Sequence, residues 1–512
     1  MRHLTLIIAV VTTMGFSQVA RTLPLTAYGD DTLDVYVSGA SAQDNALENL
    51  FRLQCESGTL DIYRVGGNQR VFFCRIGGRD RLTGAIDAFP ARQKVALFKT
   101  SVGGSGNGVG PLIRSRPLRF IDMAVLKQDA ASRCPAERRR TIAAAPPFDA
   151  FQEHVCTSSK AAARVPDAGL SDVEPRMFAE RYGFSDQDIA TLTVRSANAV
   201  IFGIPVTLKL RDALQAAQFT TDSACHPEHP QYDTAGEDGV VPAESEACMP
   251  GLTRPQLAGI FAGTLHEWDL VVNRDGYAMA AVDPATGRIT TPPTVMAPAD
   301  TRVHVCRRVD TSGTQASYEM FFLNQRCTTN AVGFAGAGAT VALGTGTSNV
   351  KTCLEDRNAK NLWAVGIFST ENVEDTVGGG WRFIKMDRTA PTLLNTFNGR
   401  WSFFVEQTIQ WRNSRSENPL RGARLKLIEH LSRQAGNPIV LRALNERFRH
   451  SWGNGGVLAL NTNGHRPPLP VGGVPVSDAS IDANPVLALS RAASGEPNNC
   501  NPPLAIFPTV AP

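Results

Sequence analysis

The fold class is decided by the stretch Val303-His304-Val305-Cys306-Arg307-Arg308-Val309-Asp310-Thr311-Ser312-Gly313-Thr314. Its β-branched first half predicts a strand, and the small polar residues that follow predict a tight turn. The apolar spacing in Tyr318-Glu319-Met320-Phe321-Phe322 then predicts an amphipathic helix. The segment is therefore a strand, a small-residue turn and a helix, in that order.

The same order occurs twice nearer the N-terminus. Val35-Tyr36-Val37 leads into Ser38-Gly39-Ala40-Ser41-Ala42 and a helical pattern. Val95-Ala96-Leu97-Phe98 leads into a glycine-rich turn at residues 100–108. Three such units predict an α/β fold with parallel strands.

The composition is typical of a large folded protein. Of the 512 residues, 43% are hydrophobic and 19% are charged, which supplies enough apolar material for buried cores and excludes global disorder. The formal net charge is only +3, so a nucleic-acid partner is not expected. No internal run of about 18 apolar residues occurs, so no membrane span is expected in the mature chain.

The N-terminus has the pattern of a secretory signal peptide. Arg2 and His3 precede an apolar stretch from Leu4 to Met14, and small residues up to Ala20 offer a cleavage site. We therefore expect residues 1–20 to be removed and the mature protein to be periplasmic or secreted.

Ten cysteines are expected to be oxidised in such a compartment. Pairing sequence neighbours predicts four disulfides, and the two cysteines left over would tie the tail to the body. Many other connectivities are possible, so this assignment rests on proximity alone. The predicted pairs are Cys55 with Cys74, Cys134 with Cys156, Cys225 with Cys248, Cys306 with Cys327, and Cys353 with Cys500.

Three stretches interrupt the α/β pattern. Residues from about 127 to 172 carry the run Arg138-Arg139-Arg140, which we interpret as a solvated surface. Residues from about 221 to 250 are acidic and are bracketed by two cysteines. Both stretches are predicted to be disulfide-closed insertions. Residues 466–512 are rich in proline and predict an extended, loosely packed tail.

The small-residue turns have the chemistry of an anion site. Backbone N–H groups at a helix N-terminus are unpaired and carry partial positive charge. Small residues let an anion approach them, and Ser, Thr and Arg side chains add further donors. No cofactor motif and no set of metal ligands accompanies them.

The same turns resemble the motifs of one family. Residues 308–314 resemble the Arg-x-Asp-x-Ser-Gly-Thr signature of the periplasmic phosphate-binding proteins of ABC transporters. Residues 39–42 are similar to the family's Gly-Ala-Gly-Ala turn, and residues 104–108 to its Gly-Ser-Gly-x-Gly loop. Residues 260–269 and 363–368 resemble two later segments, and the order and spacing hold over residues 34–410.

The resemblance implies a two-lobed, type 2 periplasmic-binding-protein fold with a hinge. Lobe I would comprise residues 28–205 and 373–465, and lobe II residues 206–372. The chain would cross between the lobes near residues 202–207 and return near residues 366–371. The two insertions and the tail lie outside the match.

The resemblance also implies a ligand site in the cleft between the lobes. A guanidinium would contact the anion and a carboxylate would orient it. A helix N-terminus would donate to it from one lobe, and a serine and the N-terminal turn from the other. The guanidinium is that of Arg308 and the carboxylate is that of Asp310. The helix N-terminus consists of Ser312, Gly313 and Thr314. The serine is Ser105, and the N-terminal turn contributes Ser41 and Ala42.

Gln43 and Asp44 stand where the family usually has Thr-Phe. A carboxylate repels a dianion unless it accepts a proton that the anion still carries, and such an acceptor favours hydrogen phosphate over sulfate. Asp44 or Asp122 is a candidate for that acceptor. Alternatively, the ligand is not phosphate.

The predicted function is an exported solute-binding protein that captures phosphate or a similar oxyanion. It would pass the anion to an ABC permease or sequester it. An enzyme is not predicted, because no serine has a neighbouring general base and no metal ligands are present. Two alternatives stay open: a secreted phosphoesterase, and a secreted adhesive or structural protein that kept the fold without the site.

Overall fold

A computed structural model describes residues 23–85, 92–157, 161–237, 239–327, 333, 340–374, 379–492 and 496–507. The predicted signal peptide lies outside these residues. Among the residues that are described, no helix is both long enough and apolar enough to cross a membrane.

The strands are short and numerous. In chain order they are β1 (Thr32–Gly39), β2 (Asp61–Val65), β3 (Gln69–Arg75), β4 (Lys94–Thr100), β5 (Leu118–Ile121), β6 (Arg139–Ile142), β7 (Phe151–Cys156), β8 (Ala161–Arg164), β9 (Ala168–Ser171), β10 (Leu192–Thr207), β11 (Gly251–Leu252), β12 (Ala281–Val282), β13 (Ile289–Thr290), β14 (His304–Arg308), β15 (Val341–Gly344), β16 (Ala364–Gly366), β17 (Phe368–Ser369), β18 (Trp381–Met386), β19 (Phe404–Arg412), β20 (Arg449–His450), β21 (Gly453–Asn454), β22 (Val457–Leu460), β23 (Val486–Leu487), β24 (Leu489–Ser490) and β25 (Leu504–Ala505).

The α-helices lie between these strands. They are α1 (Asp44–Gln54), α2 (Gly110–Ile113), α3 (Met123–Gln128), α4 (Ala130–Arg133), α5 (Ala179–Tyr182), α6 (Asp186–Ile189), α7 (Leu208–Gln218), α8 (Arg254–Ala262), α9 (Gly313–Leu323), α10 (Thr347–Ala359), α11 (Leu393–Phe397), α12 (Gly422–Gln434), α13 (Pro438–Asn445) and α14 (Asp478–Ala483). The predicted α/β class is confirmed.

A large mixed sheet has the strand order β6-β7-β2-β3-β4-β1-β9-β19-β10-β22-β23. At its centre β1 runs parallel to β4 and to β9. Successive side chains of β1 alternate between two cores: Val35 and Val37 pack in one, and Tyr36 packs in the other. Both faces of this strand are therefore buried, as is usual for a parallel strand covered on both sides.

A second sheet has the order β15-β14-β16-β10-β18-β11, with β14 parallel to β15 and to β16. The strand β10 belongs to both sheets. Its first part pairs with β19 and β22, and its last part pairs with β16 and β18. One continuous strand thus connects the two sheets.

Five disulfides are present among the described residues, and the sequence prediction was right for three of them. Cys55–Cys74, Cys134–Cys156 and Cys225–Cys248 form as expected. The other two predicted pairs were wrong: the bonds are Cys306–Cys353 and Cys327–Cys500. The reason is topological, because β14 carries Cys306 beside α10, which carries Cys353, whereas Cys327 lies beyond the far end of α9.

Part of the predicted tail is packed instead of extended. Val486 and Leu487 are fully buried, and β23 pairs with β22. Asn499 is also fully buried, and its Nδ2 donates to Glu174 Oε2 at 2.7 Å. The bond from Cys500 then attaches this segment covalently to the chain that follows α9.

Part of the first predicted insertion likewise belongs to the folded body of the protein. It supplies β6, β7 and β9 to the large sheet. Gly169 in β9 lies so close to the turn after β4 that an added Cβ would be 1.7 Å from Gly108 O. A glycine at this position therefore permits the close contact on which the site below depends.

Candidate anion-binding site

The parallel strands of the two sheets end at a common junction. On one side are the turns that follow β1, β4 and β9, and on the other are the turns that follow β14 and β15. Hydrogen bonds join the sides: Gly106 N donates to Thr311 O at 2.8 Å, for example, and the hydroxyl oxygens of Ser41 and Thr347 are 3.2 Å apart. The carboxyl ends of parallel strands are the usual ligand position in α/β folds.

Arg308, the last residue of β14, is a buried cation at this junction and is only 1% exposed. Its Nη1 donates to Ser41 Oγ at 2.9 Å and to Thr347 Oγ1 at 3.4 Å. Its Nη2 and Nε donate to the carbonyl oxygens of Thr345 and Gly344 at 2.9 and 3.3 Å. Within the described part of the chain all its partners are uncharged oxygens. Burial accordingly lowers the pKa of the guanidinium to about 10.

The N-terminus of α9 lies next to this cation. Ser312 caps the helix, and its Oγ accepts the N–H of Gln315 at 3.4 Å. The first helical residue is Gly313, and a Cβ there would lie 2.2 Å from Ser105 Oγ in the facing turn. The partial positive charge of an 11-residue helix is therefore directed at the junction.

Asp172 occupies the space at this helix N-terminus. Its Oδ2 accepts the Thr314 hydroxyl at 3.0 Å, its Oδ1 accepts Gln407 Nε2 at 3.0 Å, and its backbone N–H donates to Ser105 Oγ at 3.0 Å. The residue is 1% exposed. Burial raises the pKa of the Asp172 carboxyl, although the Thr314 hydrogen bond and the charge of Arg308 act against it. The junction thus contains an acid that holds a proton more readily than usual.

Asp44 is neutralised by cations of the large sheet. Its Oδ2 lies 3.0 Å from Arg70 Nη2, and its Oδ1 lies 3.0 Å from Lys99 Nζ. Burial alone would raise the pKa of Asp44, but these two cations outweigh it and lower that pKa. The neighbouring residue Gln43 donates from Nε2 to Ser171 O at 2.8 Å. Both side chains are therefore engaged by the protein itself.

Two predicted site residues have other surroundings. Asp122 caps α3, because its Oδ1 accepts the N–H of Ala124 at 3.0 Å. The carboxylate of Asp310 lies 2.8 Å from Arg307 Nη1 and 3.4 Å from Arg181 Nη1. Neither carboxylate is directed at the Arg308 cluster.

The structure therefore brings together only part of the predicted set. The residues that meet at the junction are Ser41, Ser105, Arg308, Ser312, Gly313 and Thr314, while Ala42 is a buried residue of the first turn. Sequence reasoning missed Asp172, since it is the final residue of the stretch interpreted as an insertion. The available signal was a short strand, Ala168–Ser171, followed by an acid.

No family model matches the chain, and no curated protein matches it either. Several solved structures do match the chain. A Clostridium perfringens protein assigned as a phosphate ABC transporter substrate-binding protein, with bound phosphate, has a TM-score of 0.37 and 12% identity, over 78% of this chain and 92% of its own.

Two further structures are of the same kind. An ABC-type phosphate transport receptor from Vibrio cholerae has a TM-score of 0.35 and 13% identity, over 80% of this chain and 98% of its own. PstS from Borrelia burgdorferi has a TM-score of 0.31 and 10% identity, over 81% of this chain and 97% of its own. The resemblance of the chain to all three structures is distant.

Proposed function

We propose that this protein is an exported, non-enzymatic receptor that captures phosphate or a closely related oxyanion at the junction around Arg308. The two sheets would form the cores of two lobes, residues 28–205 with 373–465 and residues 206–372. One strand departs from this division, because β18 (Trp381–Met386) belongs to the second sheet although it lies within the range of the first lobe. Separation of the lobes about β10 and the return segment near residues 366–371 would open the site.

The observation that carries the proposal is the charge of the junction. Arg308 is buried among uncharged oxygens. The nearby carboxylate of Asp44 is already shared by two cations, and the carboxylate of Asp172 accepts hydrogen bonds from Thr314 and Gln407 and makes none with Arg308. A buried guanidinium without a direct counter-ion is costly, and a bound anion would offset that cost.

The donors around the cation suit a tetrahedral anion. The hydroxyls of Ser41 and Thr347 lie at the Arg308 guanidinium, and the hydroxyl of Ser105 faces the N-terminus of α9, so donors come from several directions. Asp172 takes over the role that we had considered for Asp44 or Asp122. It would accept the proton of a hydrogen phosphate or hydrogen arsenate ion and would repel sulfate, which carries no proton at neutral pH.

Export supports this assignment. Five disulfides among the described residues favour an oxidising compartment. Delivery to an ABC permease is the simplest use of such a receptor, and sequestration is the alternative.

Calorimetry on the mature protein tests the proposal. Phosphate and arsenate should bind saturably, and sulfate at least about tenfold more weakly. Arg308→Met removes the charge at similar length and should abolish the heat. Arg302→Met is the matched control, because Arg302 is paired with Asp300 at the surface and should bind like wild type. If wild type gives no heat with any of the three anions, the proposal is wrong.

One observation favours a second candidate, a secreted structural or adhesive protein. The carboxylate of Asp172 already occupies the N-terminus of α9, where a ligand anion would bind. In that case the protein's own carboxylate, that of Asp172, occupies the anion position, and the junction has only a structural role. Absence of anion binding in wild type, together with its absence in Asp172→Asn, would support this candidate.

A further inference from the structure

A cavity of about 780 Å³ lies between α7, α8, β18 and the loop at residues 271–279. It shares no residue with the junction around Arg308. Its volume is in the range of sites that bind small organic ligands.

The inner wall of this cavity is apolar. Leu214, Met249, Leu252 and Met279 line it, and each is at most 5% exposed. Two of the four are methionines, whose flexible thioether side chains adapt to ligands of different shape. The exposed side chain of Val272 extends the apolar surface towards the opening.

The outer wall is basic. Lys385, Arg388 and Arg274 line it, against a single lining acid, Asp387. Asp387 is partly engaged, because its Oδ1 accepts the N–H of Arg254 at 2.9 Å.

The basic groups differ in their partners. Arg274 has a weak surface contact with Asp275 at 3.6 Å. In the described structure, neither Lys385 nor Arg388 forms a side-chain hydrogen bond or an ion pair. Burial lowers the pKa of Lys385, and the more distant charge of Glu246 opposes this only in part. Two cations at the cavity thus lack a direct counter-ion.

We propose that this cavity binds an organic anion with an apolar body, such as a medium-chain carboxylate. Its head group would pair with Lys385 and Arg388, and its chain would pack against the methionine-lined wall. This site is independent of the oxyanion site, so either proposal can fail without the other.

Decanoate is a suitable probe, and calorimetry on the intact protein measures its binding. Decanoate should bind saturably. The alcohol 1-decanol, which has the same chain without the charge, should bind at least about tenfold more weakly, since it cannot form charged hydrogen bonds with Lys385 and Arg388. Excess phosphate should not displace decanoate, because phosphate has no apolar body and belongs at the other site.

Three variants separate charge from packing. Lys385→Met should weaken decanoate binding about tenfold without changing the weak binding of decanol. Ala217→Phe, on α7, should reduce binding of both by filling the cavity. Lys360→Met is the control, since Lys360 pairs with Asp356 on the surface and should have no effect. Equal affinity for decanoate and decanol, or an unchanged affinity in Lys385→Met, would overturn the proposal.

Discussion

The Cys327–Cys500 bond offers the sharpest test of the tertiary structure, because it joins residues 173 positions apart. In the chain-entropy description, closing a loop of this length stabilises the folded state by about 5.2 kcal/mol. The Cys225–Cys248 bond spans 23 positions and should contribute about 3.4 kcal/mol. Replacing both cysteines of a pair by serine should therefore cost about 1.8 kcal/mol more for the long loop than for the short one.

Urea unfolding followed by tryptophan fluorescence measures this difference. The double variant Cys327→Ser/Cys500→Ser should unfold at lower urea concentration than Cys225→Ser/Cys248→Ser, with similar slopes. Peptide mapping of the unreduced wild-type protein checks the connectivity first. A peptide that links Cys306 to Cys327, as sequence proximity had suggested, would refute the structural reasoning, as would a smaller loss for the long loop.

Three further changes test the junction. Burial raises the pKa of Asp172 in the folded protein, so the wild type should lose stability as pH rises above the unfolded-state pKa of about 3.9. Asp172→Asn has no such group and should become increasingly stable relative to wild type. Urea unfolding between pH 4 and pH 8 measures this difference. Gly313→Ala places a Cβ 2.2 Å from the hydroxyl oxygen of Ser105, so it should weaken phosphate binding and lower the melting temperature. Gly110→Ala is the control, because its Cβ would lie 3.5 Å from the nearest atom and should change neither quantity. Lys99→Met should cost about 3–5 kcal/mol in urea unfolding, since it removes one of two cations from a buried carboxylate, and the double variant with Asp44→Asn should recover part of that loss.

The sequence alone determined the α/β class and the location of the main turns. Local patterns suffice for this: a β-branched run followed by small residues specifies a strand and a turn wherever it lies, and Ser312 is a helix cap by its own chemistry. Sequence proximity likewise predicted three of the disulfides, but Cys306 and Cys327 are also neighbours and do not pair. Residues 308–314 also predicted an anion site, because hydroxyls, a glycine and an arginine at a helix N-terminus can supply the donors that an oxyanion needs.

Only the tertiary structure decided which side chains meet. Asp172 and Thr347 come from segments with no motif. Thr347 reaches Arg308, and Asp172 reaches Thr314, because separate parallel strands end at one junction. Conversely, Asp310 is next to the motif in sequence, yet its carboxylate pairs with two other arginines. The long-range Cys327–Cys500 bond has the same origin. Contacts between distant segments depend on how the sheets pack against each other, and no local pattern records that packing.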